Sequence, residues 1–220
     1  MERFFPKNKI LMTGNPVRQD LGNTGALRQE GLAHFQLNKE KKTILVIGGS
    51  LGAGTINNSV TQCIRENITG NNLQILWQTG KYYYHAIMSD SSLTNQPDVK
   101  ILAFIDRMDL AYAAADIVIS RAGAIAISEL CIVGKPVILV PSPNVAEDHQ
   151  TKNALSLGQR QAAILLRDAD AVQNMKEVLT GLINDPALQE TLKKNIATLA
   201  RPDAADRIAE EAIRIASCKL

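Results

Sequence analysis

Three stretches of this 220-residue sequence place small or hydrogen-bonding residues where a hydrophobic run ends and helical periodicity begins. The first is Ile44-Leu45-Val46-Ile47-Gly48-Gly49-Ser50-Leu51-Gly52-Ala53-Gly54. Glycines let a backbone approach a ligand closely. The first N–H groups of a following helix lack internal partners, and its dipole favours negative charge, so a phosphate is stabilised there. Ser50 adds a hydroxyl donor. Such a turn is also a common purely structural device, so its details decide. No Gly-Lys-Ser/Thr ending follows, which argues against a P-loop, and the glycines at 48, 49, 52 and 54 do not fit G-x-G-x-x-G. The next run ends in Gln78-Thr79-Gly80, without an acidic residue for an adenosine ribose, which argues against a nicotinamide cofactor.

The second stretch runs from Asp116 to Leu130 and again reads as strand, small-residue turn (Ser120-Arg121-Ala122-Gly123-Ala124) and helix (Ile125, Ala126, Ile127, Ser128, Glu129). Gly123 and Ala124 can present backbone amides to a second phosphate, and the Glu129 carboxylate can accept two hydrogen bonds from a ribose diol. Charge-assisted bonds of that kind are worth roughly 1.5 to 3 kcal/mol each. A solvated helix face is the plain alternative for Glu129, but two glycine turns in one sheet favour a nucleotide diphosphate. In the third stretch, Val137 to Pro141 opens into Ser142-Pro143-Asn144-Val145-Ala146-Glu147-Asp148-His149-Gln150, a loop rich in hydrogen-bonding groups. Gln150 offers donors and an acceptor and His149 either role, which suits hexose hydroxyls. Glu147 and Asp148 read more simply as caps of the next helix.

Other titratable groups give less. His34 and His85 lack partners at ligand spacing, and Asp168-Ala169-Asp170 starts a helix, where a cap and a favourable dipole charge are the simple reading rather than a metal pair. No metal site and no cofactor is expected. Cys63, Cys131 and Cys218 are too scattered for a disulfide framework or a zinc cluster, which fits a reducing compartment. With 24 basic and 22 acidic residues, the net charge of +2 offers no face for nucleic acid. No apolar run approaches the roughly 20 residues that cross a bilayer, and Met1 to Pro6 does not read as a signal peptide.

Parallel α/β architecture is what would position these turns. Short β-branched runs alternate with helical periodicity after about residue 40, the signature of a parallel sheet with crossover helices. Strands are expected at Thr43 to Gly48, Leu73 to Thr79, Val99 to Phe104, Asp116 to Ser120, Pro136 to Pro141 and Ala162 to Leu166, with Lys9 to Thr13 a further strand or connector. Helices are expected at Gly52 to Glu66, Ala124 to Val133 and Asp148 to Leu157. Beyond Arg167 only helices follow: Ala169 to Asn184, Pro186 to Leu199 and Asp203 to Ala216. The first forty residues, with Gly14-Asn15-Pro16 and Gly22-Asn23-Thr24-Gly25, are loop-like.

Read in order, the segments resemble the C-terminal domain of the MurG family, two-domain N-acetylglucosaminyltransferases of the GT-B fold that act on undecaprenyl-pyrophosphoryl-MurNAc-pentapeptide. The likeness lies in Gly14-Asn15-Pro16-Val17-Arg18, Gly48 to Ala53, Phe104-Ile105-Asp106-Arg107-Met108, Ser120 through Glu129, and Glu147 through Asn153. The resemblance implies a Rossmann-like parallel sheet with flanking helices, the C-terminal half of a GT-B enzyme, binding UDP-N-acetylglucosamine. It implies Arg18 toward the diphosphate, Ser50 on a phosphate, the Ile105 main chain on uracil, Glu129 on the ribose and Gln150 on the sugar, with Gly49, Gly52, Met108 and His149 nearby. Uracil can be read there by one backbone N–H and C=O.

The same resemblance implies an inverting transfer to the lipid I acceptor in peptidoglycan synthesis, at the cytoplasmic face of the plasma membrane through peripheral contact. The family's general base and membrane-docking surface belong to an N-terminal domain whose glycine-rich motifs this sequence lacks. Residues 1–40 are then an interdomain segment with the first elements of the domain, 41–200 the donor-binding domain, and 201–220 a helix crossing back to the other domain. On this reading Met1 is a fragment boundary or engineered start, and the isolated chain transfers no sugar. The alternatives are a stand-alone donor-binding subunit of a two-chain transferase and an epimerase acting on UDP-N-acetylglucosamine. The epimerase would need acid and base groups from Glu147, Asp148 and His149.

Overall fold

A strand covered on both faces has no need to alternate polar and apolar residues, and Thr43 to Ile47 are buried without a break. In the computed structural model, which describes residues 5–23 and 25–217, this run lies inside a six-stranded sheet. The elements in chain order are α1 (Arg28–His34), β1 (Lys42–Ile47), α2 (Gly54–Arg65), β2 (Leu73–Gln78), α3 (Lys81–Met88), α4 (Ser91–Thr94), β3 (Val99–Leu102), α5 (Met108–Ala114), β4 (Ile117–Ser120), α6 (Ala124–Val133), β5 (Val137–Leu139), α7 (His149–Gly158), β6 (Ile164–Leu165), α8 (Asp168–Ile183), α9 (Pro186–Ala197) and α10 (Ala204–Ser217).

Sheet order is β3-β2-β1-β4-β5-β6, and every neighbouring pair is parallel. The chain steps outward from β1 to β3, then returns to the far side of β1 and proceeds to β6. Loops leaving β1 and β4 therefore turn to opposite faces and open a crevice at the carboxyl ends of the strands. Register sets what meets there: Ile47 pairs with Gln78 on one side and Ser120 on the other. The α/β fold read from the sequence is the one formed.

Neighbouring β1 residues feed separate cores, since successive side chains point to opposite faces. Leu45 and Ile47 join Leu110, Val118 and Leu130 beneath α5 and α6, while Ile44 and Val46 join Ile56, Ile119 and Met175 beneath α2 and α8. Cys63 in α2 and Cys131 in α6 are buried in these two cores, and burial pushes their thiols up to about 12 and about 11. Thiolate is the reactive form. Iodoacetamide at about pH 8 is therefore expected to leave both unmodified in the native protein and to label both after denaturation, as peptide mass spectrometry would read. Labelling of either in the native fold would contradict this packing. Cys218 lies outside the described residues.

All six expected strands form with their ends shifted or drawn in, because residues such as Phe104 and Pro141 belong to the loops at the crevice. Lys9 to Thr13 makes no strand: a single 3-10 turn at Lys7–Lys9 is followed by irregular chain with Leu11 and Met12 exposed. The loop-like first forty residues contain more core than their composition suggests. Leu21, Leu32 and Phe35 are buried, and α1 lies so close to α5 that a Cβ on Gly31 would meet the Leu110 carbonyl at 2.4 Å. A seven-residue helix spans too few turns for its periodicity to show. Among the described residues, no helix is long and apolar enough to cross a membrane.

Candidate functional site

The β1 loop is held by close backbone crossings. Gly49, Gly52 and Gly80 have φ of +87°, +85° and +83°, and a Cβ on Gly52 would lie 2.1 Å from the Thr79 carbonyl oxygen. Only glycine fits this crossing without strain. Beneath it, buried Asn57 donates to the Thr79 carbonyl at 2.9 Å and accepts from the Trp77 indole at 3.0 Å, tying the start of α2 to the end of β2. The loop is thus fixed before any ligand arrives.

Helix starts on both sides of the crevice are uncapped. Neither Ala53, ahead of α2, nor Gly123, ahead of α6, makes a side-chain capping bond, and the first helical bonds come from Asn57 N–H to Ala53 and from Ile127 N–H to Gly123. Their leading amides lack helical acceptors, and each carries a positive dipole end. A Ser, Thr or Asp cap would have consumed these donors.

Two connected hollows fill the crevice. The first, about 370 Å³, runs from Gly49 past Ile105 to Glu129; the second, about 550 Å³, lies over the glycine loop and reaches Asn144 and Asp168. Gly48, Gly49, Arg121 and Gln150 line both. These volumes are of the size that takes a nucleotide-sized ligand.

Within the first hollow, Glu129 accepts a hydrogen bond from the Tyr112 hydroxyl at 3.1 Å, and Tyr112 is wholly buried. Burial raises the Glu129 carboxyl above its usual value, against the Tyr112 bond and the Arg18 charge, which lower it. Tyr112 is itself raised, first by burial and then by the Glu129 charge, so its hydroxyl stays a donor. The pair leaves one Glu129 oxygen for a diol. Gln150, which lines both hollows, accepts the Ser142 N–H at 3.0 Å through Oε1, which leaves its amide nitrogen as a donor.

Of the residues singled out from the sequence, Arg18, Gly49, Ile105, Met108, Gly123, Ile125, Ala126, Glu129 and Gln150 line the first hollow, and Ser50 and Gly52 line the second. Arg18 donates to the Asp106 carbonyl at 3.4 Å and shares the Glu129 side of the cleft. The side chains of Ala124, Ile127 and Ser128 turn to a small groove with Asn153, where Asn15 Nδ2 donates to Ser128 Oγ at 2.9 Å, while the backbone N–H of Ala124, the first residue of α6, remains one of the leading amides. Helical geometry turns those side chains away while Ile125, Ala126 and Glu129 face inward. His149 lines neither hollow, and its ring nitrogen contacts the Ala146 carbonyl at 2.8 Å. The capping roles read for Glu147 and Asp148 are not realised. Both have φ of 52°, and α7 starts without a side-chain cap.

Sequence reasoning passed over Arg121 and Tyr112, and it read Asp168 only as a helix cap, a role the structure gives to Arg167 without a side-chain bond. Asp168 is the first residue of α8 and accepts from Thr55 at 2.9 Å and from the Arg121 guanidinium, which also donates to the Val140 carbonyl at 3.0 Å. The guanidinium is thereby fixed where the hollows join. Its only signal in the sequence was its place beside Gly123. No cluster of three or more His, Cys, Asp or Glu side chains that could hold a metal occurs among the described residues.

Residues 43–208 match the glycosyltransferase family 28 C-terminal domain. The chain belongs to that family. Among curated relatives of this family 28 domain, the Flavobacterium psychrophilum UDP-N-acetylglucosamine--N-acetylmuramyl-(pentapeptide) pyrophosphoryl-undecaprenol N-acetylglucosamine transferase is 53% identical over 98% of the chain and 58% of its own length. The domain also superposes on the crystal structure of Acinetobacter baumannii MurG with a TM-score of 0.70 at 26% identity, over 94% of this chain and 57% of the other. A UDP-GlcNAc 2-epimerase from Neisseria meningitidis, solved with UDP-GlcNAc bound, shares the fold with a TM-score of 0.66 at 17% identity, over 97% and 57% of the two chains. The chain thus spans under three-fifths of the length of these proteins.

Proposed function

We propose that this domain binds UDP-N-acetylglucosamine and presents it for inverting transfer of N-acetylglucosamine to undecaprenyl-pyrophosphoryl-MurNAc-pentapeptide. The observation that carries the reading is the joining of two uncapped helix starts, from α2 and α6, in one crevice with the Tyr112–Glu129 pair. The helix starts suit a diphosphate, and Glu129 suits a ribose diol. Ile105 borders the first hollow and its carbonyl suits a pyrimidine, and the Gln150 amide suits a sugar hydroxyl.

As the anomeric carbon–oxygen bond breaks, charge collects on the departing diphosphate. The leading amides of α2 and α6 and the fixed Arg121 guanidinium are preorganised to meet it, so little reorganisation is required at the reaction step. The acceptor hydroxyl needs a base. None is assigned to this domain. We place the base, the lipid-binding surface and the peripheral membrane contact in the part of the relatives that this chain does not span, and the isolated chain is expected not to transfer sugar. Exposed Ile208, Ile213 and Ile215 on α10 support a role for that helix in packing against the remaining part.

An epimerase reading gains nothing from the site, since Glu147, Asp148 and His149 line neither hollow. Calorimetric titration of the chain with UDP-N-acetylglucosamine, UDP-glucose and GDP-mannose is expected to rank the first tightest and the last weakest. Equal binding of all three would remove the base and sugar assignments.

A further inference from the structure

Gln78, the last residue of β2, is 4% exposed, yet it borders the first hollow. Its Nε2 donates to the Gly49 carbonyl at 3.0 Å, and its Oε1 accepts the Ile105 N–H at 2.9 Å. Only one orientation of the amide satisfies both, because a carbonyl needs a donor and an N–H needs an acceptor. The side chain therefore spans from the glycine loop to the loop that carries Ile105.

Each bond has a consequence for a nucleotide in the cleft. The Gly49 carbonyl also accepts the Gly52 N–H at 3.0 Å, so two donors hold this oxygen. A carbonyl held in this way is not free to turn toward a phosphate, which it would repel. The Ile105 N–H is engaged, so the group of this residue left to read a base is its carbonyl, which can accept from the N3–H of uracil. This narrows the expectation that both amide edges of Ile105 read the base.

We infer that Gln78 is a positioning residue for the donor nucleotide, its side-chain amide fixing the phosphate loop and the base loop relative to one another. The inference rests on the donor-binding reading above.

The test uses the whole chain with UDP as the probe and isothermal calorimetry as the readout, for the wild type, Gln78→Leu and Gln78→Glu. Gln78→Leu removes both bonds and is expected to weaken UDP binding about tenfold or more. Gln78→Glu separates positioning from mere folding. Its protonated carboxyl, like the amide, has one donor and one acceptor, whereas the ionised form has no donor and faces the Gly49 carbonyl with like charge. Arg18, Arg121, Glu129 and the Tyr112 hydroxyl also border this hollow, and UDP itself titrates. The quantity read is accordingly the ratio of variant to wild-type Kd at each pH. That ratio is expected to stay near one at about pH 5 and to rise about tenfold by about pH 8, as a buried carboxyl ionises.

A flat ratio near one across this range would overturn the inference, as would a folded Gln78→Leu that binds UDP within about twofold of wild type. If Gln78→Leu fails to fold, the glutamate profile decides alone. Failure of the wild type to bind UDP would instead overturn the donor-binding reading, and the role of Gln78 with it.

Discussion

Gly52→Ala is expected to lower the unfolding free energy by roughly 2 to 5 kcal/mol, whereas Gly123→Ala should leave it nearly unchanged. Gly52 sits at φ +85°, where an L-residue pays about 1 to 2 kcal/mol. Its added methyl would also lie 2.1 Å from the Thr79 carbonyl oxygen and 2.8 Å from a Tyr83 ring carbon. Overpacking of this kind costs about 1 to 3 kcal/mol more. Tyr83 can shift; the Thr79 carbonyl is held, because the same oxygen accepts from buried Asn57. Gly123 has φ of −67°, and nothing lies within 4 Å of the position its Cβ would take. Urea denaturation of both variants, followed by circular dichroism, checks the contrast. Equal stabilities would show that the crossing of the two loops is not as tight as described.

Glu129→Gln is expected to uncouple binding from stability. Burial raises this carboxyl, so between its ordinary and its raised pKa the folded state holds more protons than the unfolded state. Stability contributed by the group is therefore present at low pH and is lost as pH rises through that window. At neutral pH the ionised side chain opposes folding, and a neutral amide of the same shape, still able to accept from Tyr112, removes that penalty. The melting temperature of the unliganded variant at pH 7 should equal or exceed that of wild type, and its advantage should shrink as pH is lowered. UDP affinity should fall about 10- to 100-fold, because charge-assisted bonds to a diol become neutral ones. Scanning calorimetry and titration on the same samples decide. Unchanged affinity would take Glu129 away from the ribose, and a lower melting temperature would show that its charge serves the fold.

The fold was legible because its signals are local and strong. The apolar run Ile44 to Ile47 of β1 runs straight into glycines that turn the chain, and α6 begins and ends where its residues suggest. The site was less legible wherever it depends on partners distant in sequence. Tyr112 reads as one more apolar residue of a short helix until the fold places its hydroxyl against Glu129. Asp168 looks like a helix start, which it is, but register also brings it to Thr55 and Arg121. On α6, a run of consecutive candidates was read as one group, although helical rotation turns the side chains of Ile127 and Ser128 away from those of Ile125, Ala126 and Glu129.

The outer strands of the sheet are short: β3 has four residues and β6 only two, against six each in β1 and β2. A sheet margin with few unpaired backbone groups gives another molecule little to zip onto. The strongly apolar middle strands, which would be the sticky part of any β-rich aggregate, are shielded on either side by these stubs. Self-association of the folded domain through strand addition is thus disfavoured, and contacts with other proteins fall to its helices and to the rim of the crevice.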